Sequence, residues 1–102
     1  SLHFYVLHLD LGGPNTTQRV RSVQKHIVLA VLDCWRRQQP FQPSLPAMAI
    51  MFSCSRATAA RAVSGLEGRH GWLHNEWRGG RKTNIYVPGW RLAQLIGRAR
   101  NK

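Results

Sequence analysis

The sequence predicts a small α+β fold, and three observations carry that reading. Apolar residues recur at helical spacing through three successive segments. An aromatic and β-branched hairpin follows them, centred on Gly79 and Gly80, and a last amphipathic segment closes the chain. At 102 residues the chain has room for one core.

Residues 2–11, LHFYVLHLDL, hold aromatic and branched side chains in an imperfect two-residue alternation that stops at Gly12, Gly13 and Pro14. This predicts an extra N-terminal strand, with residues 14–19 as a polar link. Val20, Val23, Ile27, Val31 and Cys34 then recur three and four apart, so a first helix is expected from about Ser22 to Gln38. Ala30 and Trp35 widen its stripe, and Pro40 with Pro43 forbids continuation. Ser44 is placed to cap a second helix that tolerates Pro46 in its first turn and ends near Phe52. A tight turn at Ser53 and Cys54 leads to Ser55, whose hydroxyl is positioned to accept the Thr58 amide and open a third helix. One face of that helix holds Ala59, Ala62, Val63 and Leu66; the other holds Arg56, Ala57, Ala60, Arg61 and Ser64.

Gly65, Gly68 and Gly71 end the third helix, and the periodicity changes. Trp72 to Arg78 and Thr83 to Val87 read as the strands of a hairpin whose tip carries Arg78, Arg81 and Lys82. Pro88 and Gly89 close it. Trp90, Leu92, Ala93, Leu95 and Ile96 predict a last short helix that runs into Arg98, Arg100 and Lys102. The chain thus divides into an N-terminal strand and linker (1–19), a central domain (20–88) and a C-terminal helix with a basic tail (89–102).

Charge narrows the partner. Fifteen Lys and Arg stand against four Asp and Glu, a formal net charge of +11. Such a chain repels itself unless a polyanion supplies the countercharge, and nucleic acid is the usual one. Only Lys25, Lys82 and Lys102 are lysines, so the cations are chiefly guanidinium groups, which grip phosphate bidentately and can read guanine edges.

The order of strand, helix, helix, tight turn, helix, basic-tipped hairpin, helix is that of a winged helix-turn-helix. Ser44, Met48 with Ala49, Ser55, Arg56, Thr58, Arg61, Leu66 with Glu67, Gly71 with Trp72, and the segment GGRKTNIY together resemble a family. That family is the winged helix-turn-helix domains of bacterial, phage and plasmid replication and transcription-control proteins. The resemblance spans residues 22–87 and departs from the family at Ser53, Cys54 and Ala59, where Gly, Leu and a branched residue are usual. It implies that Ser55, Arg56, Thr58 and Arg61 touch double-stranded DNA, hydroxyls on phosphates and guanidiniums reaching bases. Ala57, Ala60 and Ser64 share their face, and Arg78, Arg81 and Lys82 would hold phosphates or enter a minor groove. A homodimer on repeated half-sites would extend the short reach of one such head, through the N-terminal strand and the last helix. Binding to RNA or single strands, and a protein-interaction role, are the alternatives.

Other chemistries find little support. His70 and His74 bracket Gly71 and would not share a helix face, so no metal is expected, and no cofactor or small-molecule substrate is implied. The four acids, Asp10, Asp33, Glu67 and Glu76, include no adjacent pair, and no Ser-His or Cys-His motif accompanies them, so no enzyme is expected. Cys34 and Cys54 have neither zinc-site spacing nor disulfide density and are expected to be buried and reduced. Of the tryptophans, Trp72 and Trp90 are expected in packing and Trp77 exposed. Ile50, Met51 and Phe52 are expected to be extra core, with a subunit contact as the alternative. No apolar run is long enough to span a bilayer, and residues 2–11 lack the leading cations of a signal peptide, which predicts a cytoplasmic, nucleoid- or plasmid-associated protein without membrane contact. The opening Ser1, in place of Met, suggests flanking sequence.

Overall fold

The computed structural model describes Val6, His8, Leu9, Leu11, residues 16–76 and residues 84–100. Among these residues the chain forms a small α+β domain of four α-helices and one two-stranded antiparallel hairpin: α1 (Gln18–Arg36), α2 (Leu45–Met51), α3 (Arg56–Ser64), β1 (Leu73–Asn75), β2 (Tyr86–Pro88) and α4 (Trp90–Arg100).

Helix α1 begins a turn earlier than its apolar stripe suggested, because Thr17 caps it, its hydroxyl accepting the Val20 amide at 3.2 Å. It ends at Arg36, and Gln38 turns into left-handed backbone with φ 56°. Its buried face is Val20, Val23, Gln24, Ile27, Val28, Val31 and Leu32. The expected cap on α2 is present, with the Ser44 hydroxyl accepting the Ala47 amide at 3.2 Å. Met48 is the buried side chain of this short helix.

The expected N-terminal strand is corrected at the residues the structure describes. Val6 and His8 have helical backbone, and the Leu9 amide donates to the Val6 carbonyl at 3.2 Å. Apolar residues occupy both phases of the alternation in this segment, so no single sheet face is defined. Val6 and Leu9, three apart, suit a helix face instead. Val6 and Leu11 enter the core, and the remainder of residues 1–15 lies outside the described residues.

The hairpin pairs Leu73 with Pro88, His74 with Val87 and Asn75 with Tyr86, shorter strands than the sequence predicted. Its far end, including Trp77, Gly79 and Gly80, lies outside the described residues. Two ties fix its base. The amides of Trp72 and Leu73 both donate to the Leu66 carbonyl just beyond α3, at 2.9 and 3.0 Å. The Tyr86 amide donates to the Phe41 carbonyl at 2.9 Å, making a β-bridge to the segment between α1 and α2 that had read as plain loop.

Gly71 adopts φ 78°, and a Cβ there would collide with the Trp90 indole. Trp72 is buried as expected, but Trp90 is 56% exposed. The Arg91 guanidinium lies 5.4 Å from the ring centroids of both Trp72 and Trp90. Trp35, expected to widen the α1 stripe, is 51% exposed. Ile50 and Met51 are likewise 82% and 53% exposed, which overturns their reading as extra core. A two-turn helix turns one narrow face inward, and Met48 occupies it. Cys34 and Cys54 are free thiols, half-buried rather than buried.

Burial raises the Tyr86 phenol above its usual value; the hydrogen bond from Asn84 opposes this, and the charge of Glu67 adds to it. The folded state therefore favours the neutral phenol. Its contribution to stability is whole below the unfolded value, about pH 10, and is lost as pH rises through the higher folded value. Denaturant titrations from about pH 9 to about pH 11.5 should show the wild type losing stability faster than Tyr86→Phe. A constant difference between the two across that range would contradict this account.

Candidate nucleic-acid interface

Helix α3 is set up by local chemistry. The Ser55 hydroxyl accepts the Thr58 amide at 3.0 Å, as the sequence predicted, and also donates to Thr58 Oγ1 at 3.0 Å. The cap therefore occupies the Ser55 hydroxyl on both sides and leaves the Thr58 hydroxyl as the outward donor of the pair. Ala59, Ala62 and Val63 are buried, and Leu66 just beyond them is fully enclosed.

At about 100° per residue, Arg56, Ala60, Ser64, Ala57 and Arg61 follow one another around an arc of about 140°. Arg56, Ala57, Arg61 and Ser64 are exposed, Ala60 is half-exposed, and Thr58 sits half-buried at the margin. The structure thus brings Arg56, Ala57, Ala60, Arg61 and Ser64 onto one exposed face and leaves Thr58 beside it. Two guanidiniums flank a strip of small side chains, so a flat surface could approach the backbone closely. Among the described residues, Arg56 and Arg61 have no carboxylate partner, whereas Arg37 pairs with Asp33 at 3.5 Å on α1. Arg78, Arg81 and Lys82 lie outside the described residues.

In the turn before α3, Ser53 holds left-handed backbone, φ 53°, which favours Gly. Arg19, on the first turn of α1, donates a guanidinium N–H to the Ser53 carbonyl and so pins this turn. The sequence reading missed Arg19, hidden among many surface arginines. It also missed Gln24, buried at 1% exposure, although its position four after Val20 and three before Ile27 places it squarely on the apolar stripe.

His70 lies in the 3₁₀ turn Gly68–His70 and His74 on β1, and no group of three or more His, Cys, Asp or Glu among the described residues is arranged to hold a metal. Among the same residues, no helix is long and apolar enough to cross a membrane. No protein-family model, curated protein or solved structure matches this chain.

Because the exposed Ser53 pays for left-handed backbone without a glycine's freedom, Ser53→Gly should stabilise the fold by about 1 kcal/mol. Chemical denaturation measures it, and a destabilised variant would show that the turn is held by something the backbone angle does not capture.

Proposed function

We propose that this chain is a winged helix-turn-helix domain that binds double-stranded DNA in a sequence-specific manner. Helix α3 is its recognition helix and the β1–β2 hairpin its wing. Supporting the fold reading is the succession of α1, the bridging Phe41, α2, a short turn, α3 and a hairpin tied to the end of α3. The single observation that carries the function is the exposed arc of α3, with Arg56 and Arg61, unpaired among the described residues, around small residues on a chain of net charge +11.

In this reading the arc enters the major groove, where guanidiniums reach base edges and the Thr58 hydroxyl meets a phosphate. Ala57, Ala60 and Ser64 allow the close approach. The wing would lay Arg81 and Lys82, with Arg78, along the neighbouring backbone or minor groove, a role resting on the sequence alone. The role is recognition without catalysis, cofactor or metal, suited to a replication, partition or transcription regulator of a bacterium, phage or plasmid. A second copy on a repeated half-site would lengthen the short footprint of one head.

Arg56→Ala and Arg61→Ala should each weaken binding to a duplex selected from a random pool. A bidentate guanine contact would show as a base-selective loss of about 1 to 3 kcal/mol. Unchanged affinity in both, with folding intact by circular dichroism, removes α3 from the interface. Equal binding of single strands or structured RNA would favour the alternative ligand class.

For the wing, removing Arg81 and Lys82 together should reduce the slope of log affinity against log salt by about 1 to 2 while the preferred sequence stays the same. An unaltered slope means that the wing stands clear of the duplex. A changed base preference means that it reads sequence.

A further inference from the structure

The last carbonyls of any helix lack partners within it. At the end of α3, the Gly65 amide reaches the Arg61 carbonyl at 3.0 Å, and the amides of Leu66 and Glu67 both turn to Val63, at 3.0 and 3.1 Å. The Ala62 carbonyl is met from another helix: Gln24 of α1 donates its Nε2 to it at 3.4 Å. Among the described residues Gln24 is the buried polar residue of the core, and its buried Oε1 has no hydrogen-bond partner among them. A bond this long contributes little net energy, and the orphaned Oε1 opposes folding. A methionine would remove the orphaned Oε1 but leave the Ala62 carbonyl without its donor, two effects on stability that oppose each other.

Gly65 supplies a second observation. Its φ of −78° is open to any residue, so the backbone does not require glycine. A Cβ at Gly65 would lie 2.5 Å from Gln24 Nε2, so any larger residue would push the amide aside. The glycine makes room for the clasp. Ala59 and Ala62 present small side chains on the buried face of α3, which lets the Gln24 amide reach the backbone of its last turn. A buried polar contact within an apolar interface is a known way to specify register.

We propose that Gln24, seated against Gly65, is a positioning residue that sets the axial register of α3 on α1 and thereby the discrimination among DNA sequences. Arg19 holds the turn before α3 through Ser53, and Gln24 holds the last turn, so α1 clasps the helix at both ends. The inference rests on the duplex-binding reading above. A base-reading guanidinium needs placement to a fraction of an ångström, whereas phosphate attraction tolerates a small slide. Loss of the clasp therefore reduces selectivity and spares sequence-independent affinity.

The test uses the full chain, a duplex selected with the wild type, and a scrambled duplex of the same length. Gln24→Met should keep its near-ultraviolet circular dichroism and a thermal midpoint within a few degrees of wild type. The affinity ratio of selected to scrambled duplex should fall by about tenfold or more, the size of one mismatched base pair. Affinity for the scrambled duplex and its salt slope should not move. Gly65→Ala, which favours helix but drives the amide off Ala62, should lower the ratio in the same way. A wild-type ratio in either folded variant overturns the proposal, and so does unfolding of both, which would make the pair merely structural. If the wild type itself prefers no duplex, the functional reading fails as well, an outcome distinct from a discriminating wild type with equally discriminating variants.

Discussion

The contact between α1 and α3 governs the positions of the other elements. Ala59, Ala62 and Val63 on one side and Val20, Val23, Gln24, Ile27 and Val28 on the other form the middle of a single core. Small residues on α3 allow the two backbones to lie close. Helix α2 packs on the other flank of α3, and the hairpin starts from Leu66, where both Trp72 and Leu73 donate to one carbonyl. Strand β2 then returns past α1 to Phe41, which closes the circuit between the hairpin and the helical core. Any displacement of α3 on α1 would therefore carry the hairpin with it.

Electrostatics works against this compact arrangement. A net charge of +11 on a chain this small raises the energy of bringing its cations together, and only four acids are available to offset them. Near-neutral patches would be cheaper, yet α3 turns Arg56 and Arg61 outward without a carboxylate partner among the described residues. Two other arginines have internal tasks: Arg19 pins a left-handed turn, and Arg91 lies beside two indoles.

Local features were legible in the sequence where both partners of an interaction sit within a turn of each other. The Ser44 and Ser55 caps and the division of α3 into an alanine-rich buried face and an arginine-bearing exposed face are of this kind. Side chains whose environment depends on a distant element were not. Trp35, Ile50 and Trp90 are apolar at plausible core positions, and whether they are covered depends on which element passes over them. The N-terminal segment contributes Val6 and Leu11 to the core with helical backbone at Val6, since its pattern satisfied neither period well enough to decide the question locally.

What the sequence determined by itself, then, was the succession of helices and hairpin, the caps that start α2 and α3, and the excess of cations over acids. The succession and the caps follow from hydrogen bonds and periodicities that act over a few residues. The tertiary structure alone decided that Arg19 reaches Ser53, that Phe41 pairs with Tyr86, and that the buried amide of Gln24 meets Ala62 beside a glycine. Each joins residues far apart in the chain, and each depends on how closely two elements approach, a distance that core packing sets and no local pattern encodes.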